Sequence, residues 1–358
     1  MTNLIQHFGW SGDFDRAFEP HAALGCVPAR VTVQSRGLYT LIAEQGEIRA
    51  RLSGHLIHEA QEGDYPVVGD WVAIRLPHGD GIVTIQAVLP RRTAFVRKAA
   101  DSVQRPQVIA ANIDIVLLVL AMNADFNLRR LERYLAAAWQ SGAHPMVVLT
   151  KADLCDAPHM RTAEAESVAR GCPVLALSSL TGEGLAALAE RLEPAATHVL
   201  LGSSGAGKST LINALAGREL MATAAIRAHD ERGRHTTTHR ELFRMPGGAL
   251  LLDTPGMREL GLIDAEEGLK TAFEEVDVLT QRCRFRDCSH AGEPGCAVRA
   301  ALDAGTLDPG RWRSYEKLQR ELAHVERKED GLAREAERKR WASIHKAQRH
   351  YKKLRDKW

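Results

Sequence analysis

The sequence predicts three folded units in series: a small β-barrel, a doubly wound α/β domain, and a helical unit that carries a cluster of cysteines and a histidine. Three observations predict this order. Short β-like runs punctuated by turn residues fill residues 29 to 89. Continuous apolar strands alternating with helical spacing follow from Asn112. Three cysteines and a histidine then fall within fourteen residues, 283 to 296. At 358 residues and 45% hydrophobic content, the chain has the length for two or three domains and the material for a sizeable core.

Residues 1–28 read as an N-terminal extension with weak structure signals, in which Phe8, Trp10, Phe14 and Phe18 offer apolar surface to a neighbour. The barrel is expected over 29–92. Its strands are Ala29–Val33, Leu38–Ala43, Glu47–Leu52, Asp70–Leu76 and Gly81–Val88, with turns at Asp64-Tyr65-Pro66 and Pro77-His78-Gly79-Asp80-Gly81. Five short strands in so few residues suggest an OB-fold. The basic, irregular stretch that follows makes 93–111 a linker.

The α/β domain is expected over 112–265. Ile113–Ala121 and Pro145–Leu149 are continuous apolar runs, as strands buried on both faces require. Val174–Leu177, His198–Leu201 and Leu250–Leu252 repeat the type, and Leu128–Ser141 between them has helical spacing. Ligand loops belong at the C-terminal ends of such strands.

The nucleotide motifs occupy those ends. Gly202-Ser203-Ser204-Gly205-Ala206-Gly207-Lys208-Ser209 follows a buried strand and opens a helix at Thr210, the context of a phosphate loop. Its glycines let backbone N–H groups curl toward phosphate oxygens. Lys208 is assigned to the β/γ-phosphates and the Ser209 hydroxyl to Mg²⁺. Downstream, Thr237 (flanked by Thr236 and Thr238) is the expected switch threonine on Mg²⁺. Asp253-Thr254-Pro255-Gly256 places a carboxylate near the metal and the Gly256 N–H near the γ-phosphate. Thr150-Lys151-Ala152-Asp153 reads as a guanine loop. Asp153 accepts two N–H donors from the base, a pairing adenine lacks, and the Lys151 stem lies along the ring. Ser178-Ser179 is the second base-contacting loop.

Two positions depart from the usual GTPase pattern. Thr150 stands where asparagine is common, and threonine has no amide to tie the base loop to the phosphate loop. Met257 stands where glutamine would position the attacking water, which leaves His235 as the candidate to orient it; Arg258, next to Met257, reads as a surface arginine ahead of a group acting on phosphate. The order of motifs departs more deeply. Both base loops precede the phosphate loop, whereas an ordinary GTPase begins with it. The domain therefore reads as circularly permuted, with its second switch running straight into the unit that follows.

That unit, 266–358, carries Cys283, Cys288, His290 and Cys296. They form a complete Cys₃His set of the kind that closes around one structural zinc. Cys26, Cys155 and Cys172 are scattered and read as reduced thiols. The net charge of +2 implies no polyanionic partner by itself, but residues 334–358 hold ten Lys/Arg against three acids, with Trp341, Tyr351 and Trp358 among them. Such a tail suits an RNA backbone. No apolar run suits a membrane span and the start has no leader pattern, so a cytoplasmic protein is expected.

The motifs together resemble the RsgA (YjeQ) family of circularly permuted GTPases. The resemblance rests on Pro66-Val67-Val68-Gly69-Asp70-Trp71-Val72, Asn112-Ile113-Asp114, Asn127-Leu128, Arg133-Tyr134-Leu135, Gly202–Ser209, Gly233-Arg234-His235-Thr236-Thr237-Thr238, Asp253-Thr254-Pro255-Gly256, Cys283–His290 and Glu293-Pro294-Gly295-Cys296. It implies an OB-fold barrel, a permuted P-loop GTPase domain and a zinc-binding helical domain. It also implies a monomer that binds the 30S ribosomal subunit and its 16S rRNA near the decoding region, assists late maturation, and hydrolyses GTP faster when bound. His235 is similar to the family histidine proposed to assist catalysis, and Met257 fits the family's apolar residue there. The basic C-terminal extension is less standard for the family. A second reading is a non-catalytic RNA chaperone that uses GTP only as a switch. A third, an ATP-dependent enzyme, is opposed by Asp153.

Overall fold

The computed structural model describes residues 3–35, 37–59, 64–77, 81–98, 106–221, 240–253, 265–324 and 327. Helix α1 (Gly12–Ala22) precedes a barrel of β1 (Val27–Ser35), β2 (Leu38–Ala43), β3 (Gly46–Leu52), β4 (Trp71–Arg75) and β5 (Val83–Val88), with α2 (Gly54–Glu59) between β3 and β4. β1, β2 and β3 pair antiparallel, β3 pairs β5 in parallel, β5 pairs β4, and β4 returns to β1 with Trp71 opposite Arg30. The sheet is closed and its order is that of the expected OB-like barrel.

The N-terminal extension is part of this core. Phe8, Phe14 and Phe18 are buried, and Trp10 packs edge-on against Trp71 with ring centroids 4.7 Å apart. Within the stretch expected as a linker, 93–111, the described residues form a two-stranded ribbon, β6 (Ala94–Lys98) against β7 (Pro106–Ala111). Arginines, a lysine and a proline hide its apolar face in the sequence. Phe95, Ile109, Ala110 and Ala111 supply that face and are buried.

The α/β domain runs β8 (Ile115–Ala121), α3 (Leu128–Gln140), β9 (His144–Thr150), α4 (Pro158–Val168), β10 (Val174–Ala176), α5 (Leu185–Ala189), β11 (Thr197–Leu201), α6 (Lys208–Ala216), β12 (Arg240–Arg244) and β13 (Leu250–Asp253). The strand order is β10-β9-β8-β11-β13-β12, parallel except for β12. Along β8, Leu117 and Val119 enter one apolar cluster while Val116, Leu118 and Leu120 enter another. Both faces are covered, which is why the strand reads as one unbroken apolar run. The strand leading into the phosphate loop, β11, lies mid-sheet between β8 and β13, although three strands of the α/β sheet (β8, β9 and β10) precede it in sequence; the permutation is thereby visible in the topology.

The C-terminal unit contains α7 (Glu266–Ala272), α8 (Glu274–Gln281), α9 (Ala297–Asp303) and α10, residues 309–324. It is fastened along α3. Gly268 abuts the backbone of α3, and its N–H donates to Gln140 Oε1 at 3.0 Å. Arg311 donates to Glu132 at 3.0 Å and to Glu275 at 2.5 Å while stacking on Phe273. Arg129–Asp308 and Arg133–Glu321, each 2.8 Å, extend the row.

Barrel and α/β sheet are also continuous, because β12 pairs with β1 (Val33 opposite Glu241). Beside that seam Arg30 is buried. It donates to Gly69 O (3.2 Å), Asn112 O (3.1 Å), Thr197 Oγ1 (2.7 Å) and Phe8 O. Burial lowers its pKa to about 10, which still leaves it charged at neutral pH. Arg30→Met keeps much of the stem's packing but strips hydrogen bonds from three carbonyls and a hydroxyl. Leaving such groups unsatisfied is expected to cost about 3 kcal/mol in all, read from urea unfolding midpoints.

Candidate nucleotide site and metal cluster

The C-terminal ends of β8, β9, β10 and β11 bring the described motif residues together. After β11 the chain turns through Gly202–Gly207 into α6. Gly202 passes so close to Val119 O that a Cβ would collide with it, and Gly207 has φ +89° with Thr150 at its back. These two close approaches require glycine here whatever the loop binds. Lys208 Nζ donates to Gly202 O at 2.6 Å and to Ser203 O at 2.7 Å, which holds the ammonium over the loop. Ser204, Gly205 and Thr210 are exposed, Ser203 and Ser209 are half-buried, and Ala206 is buried.

The base loop leaves β9 at Thr150, and Lys151 takes the left-handed conformation (φ 59°) that turns the chain into Ala152–Leu154. Asp153 is exposed at the surface of this turn. Thr150 is buried, and its hydroxyl donates to Ala206 O at 2.6 Å. The bridge between base loop and phosphate loop is thus present without an amide. The second loop is held to the first by Ala152 N donating to Leu177 O at 3.1 Å. Ser178 is buried and its hydroxyl accepts the N–H groups of Leu180 and Thr181, both at 3.2 Å, so it shapes the loop. The hydroxyl of Ser179 beside it is buried without a partner. Asp253 ends β13. Its side chain and the residues Thr236, Thr237, Thr238, His235, Thr254, Pro255, Gly256, Met257 and Arg258 lie outside the described residues, as does the tail 334–358.

The four metal-ligand candidates converge. Their donor atoms all lie within 4.8 Å of one another. Cys283 Sγ is 3.5 Å and Cys296 Sγ 3.6 Å from His290 Nδ1, and the two sulfurs are 3.9 Å apart. A tetrahedral zinc with Zn–S about 2.3 Å and Zn–N about 2.0 Å requires S···N of about 3.5 Å and S···S of about 3.8 Å. The group fits. Cys296 also caps α9, accepting the N–H of Arg299 at 3.4 Å, and Trp312 of α10 packs edge-on against His290. Glu293 shapes the turn between ligands. The Ser289 hydroxyl, with N–H groups of 289, 291 and 292, bonds its carboxylate and holds its pKa at about 2.

Comparison with known proteins agrees with this geometry. A family model described as RsgA GTPase matches residues 88–263. The small ribosomal subunit biogenesis GTPase RsgA of Opitutus terrae is 50% identical over 366 residues, covering 99% of each chain. The chain belongs to the RsgA family. The RsgA of Syntrophotalea carbinolica is 46% identical over 95% of each chain. The crystal structure of YjeQ from Thermotoga maritima, 28% identical, superposes with a TM-score of 0.63 over 83% of this chain and 99% of its own. YloQ, described as a circularly permuted GTPase, shares the fold at TM-score 0.60.

Two features of this RsgA family member escape a motif search. Asp125, in the loop before α3, accepts the Ser203 hydroxyl at 2.8 Å. Arg282, Arg284, Phe285 and Arg286 form an exposed knuckle on the metal loop, with Arg284 set over the Phe285 ring. These arginines are plain in the sequence, but their exposure follows only once Cys283 and Cys288 turn inward.

Proposed function

We propose that the chain is a GTP hydrolase that binds the small (30S) ribosomal subunit through 16S rRNA, assists its late maturation, and is stimulated by it. The observation that carries the nucleotide reading is the assembly of Gly202–Thr210, Thr150–Asp153 and Ser178–Ser179 at one sheet edge, joined by the Thr150–Ala206 bond. Relatives named for small-subunit biogenesis support the partner. Lys208 and the loop N–H groups serve the phosphates, Asp153 and the Ser178–Ser179 loop read guanine, and Asp253 and Gly256 serve the metal and γ-phosphate. Ser209 and Thr237 would hold Mg²⁺, which neutralises phosphate charge when bound. His235 orients water. Cys283, Cys288, His290 and Cys296 hold one structural zinc. The barrel, the exposed arginine–phenylalanine knuckle and the basic tail face RNA, where cations meet phosphates and an aromatic ring stacks a base. The protein acts in the cytoplasm as a monomer; among the described residues no helix is long and apolar enough to cross a membrane.

Competition tests the nucleotide assignment. GTP should displace a fluorescent GDP analogue and ATP should not; equal displacement by ATP would remove the guanine reading. Thr150→Val deletes the bridging hydroxyl at nearly constant volume. It is expected to weaken GDP binding about tenfold, the worth of one buried hydrogen bond.

A further inference from the structure

The phosphate lysine is held by its own loop, and that loop is held by a carboxylate outside the nucleotide motifs. Both carbonyls that accept from Lys208 belong to peptides flanking the Cα of Ser203. The Ser203 side chain is therefore the handle that sets their direction. Its hydroxyl donates to Asp125 Oδ2 at 2.8 Å, and the same oxygen accepts from Arg130 Nη1 at 2.6 Å. We propose that Asp125 is a positioning residue for GTP hydrolysis. By gripping Ser203 it fixes the two carbonyls that aim Lys208 at the phosphates. The proposal rests on the assignment of Gly202–Ser209 as the phosphate loop.

Three observations support it. First, Asp125 is a fixed post. It lies two residues before Asn127, whose side chain caps α3 by accepting the Arg130 N–H at 3.1 Å. That helix is bolted along its length to the C-terminal unit through Arg129–Asp308, Glu132–Arg311 and Arg133–Glu321. The carboxylate cannot simply follow the loop. Second, Arg130 pairs with Asp125 and offsets its charge, so a carboxylate near the phosphate site need not repel an anionic nucleotide. Third, the Arg130 hydrogen bond, with that of Ser203, holds the Asp125 pKa below its ordinary value, which keeps it an acceptor at neutral pH. An ordinary surface ion pair of Arg130 and Asp125 would involve no phosphate-loop residue.

The test is a double-mutant cycle on full-length protein, read by steady-state GTP hydrolysis and thermal melting. Asp125→Ala and Ser203→Ala should each lower kcat about fivefold while KM for GTP stays within about twofold, and the double variant should be no slower than either. Melting temperatures should stay near the parent's. An unchanged kcat, or effects that multiply in the double variant, would overturn the positioning role. Lys208→Ala, assayed alongside, separates the two readings. If it too leaves kcat unchanged, the phosphate-loop assignment fails; if it alone abolishes turnover, only the role of Asp125 fails.

Discussion

Removing the metal from the Cys₃His cluster is expected to unfold residues 282–303 while the α/β sheet stays intact. Three of the four ligands lie in irregular chain between α8 and α9, and the fourth, Cys296, caps α9. The other bonds in this loop are local to it: the Glu293 carboxylate turn and the Arg284 N–H donating to Gly295 O at 3.1 Å. Arg282, Arg284, Phe285 and Arg286 point outward, and Val298 and Ala301 of α9 supply its buried apolar contacts. Structural zinc contributes on the order of 10 kcal/mol in small metal-folded units, more than so small an apolar face can replace. The loss should reach α10 through the His290–Trp312 contact, whereas α7 should remain on α3 through Gly268. Chelation should release one equivalent of zinc and raise hydrogen exchange across 282–303, leaving 115–121 protected. Cys288→Ser should reproduce the pattern. Unchanged exchange in metal-free protein would show that the cluster is not structural.

Lys208→Ala is expected to lower GTP hydrolysis at least about a thousandfold, roughly 4 kcal/mol of transition-state stabilisation. A loop that holds its lysine by two carbonyls is arranged before the nucleotide arrives, so the ammonium need not be reorganised during reaction. The fold should survive, because Lys208 is only half-buried at the start of α6. Single-turnover hydrolysis and a melting curve check both halves. Hydrolysis within tenfold of the parent would place the chemistry elsewhere.

Much of this architecture is legible in the sequence because it depends on local pattern. Strands buried on both faces cannot avoid continuous apolar runs, so β8 and β9 announce themselves. The phosphate loop and the metal ligands are fixed by spacing. What escapes is non-local. Arg30 reads as a charged strand residue, and only its closure on Phe8, Gly69, Asn112 and Thr197 shows it as a junction of extension, barrel and sheet. The extension looks unstructured until Trp71 gives Trp10 a ring to pack against. The β6–β7 ribbon hides its apolar face among basic residues. Thr150 reads as a missing asparagine, yet its hydroxyl spans 56 residues of sequence to reach Ala206. The base-loop motif gives residue types, whereas the bond depends on how closely Gly207 lets the two loops approach.

For a GTPase whose partner is the small ribosomal subunit, phosphate release is the decisive readout. Purified protein would be assayed alone, with 30S subunits, and with 50S subunits as control. Release is expected to be slow alone, strongly stimulated by 30S and unaffected by 50S. Slow release unchanged by either particle would contradict the ribosomal assignment while leaving the nucleotide site in place.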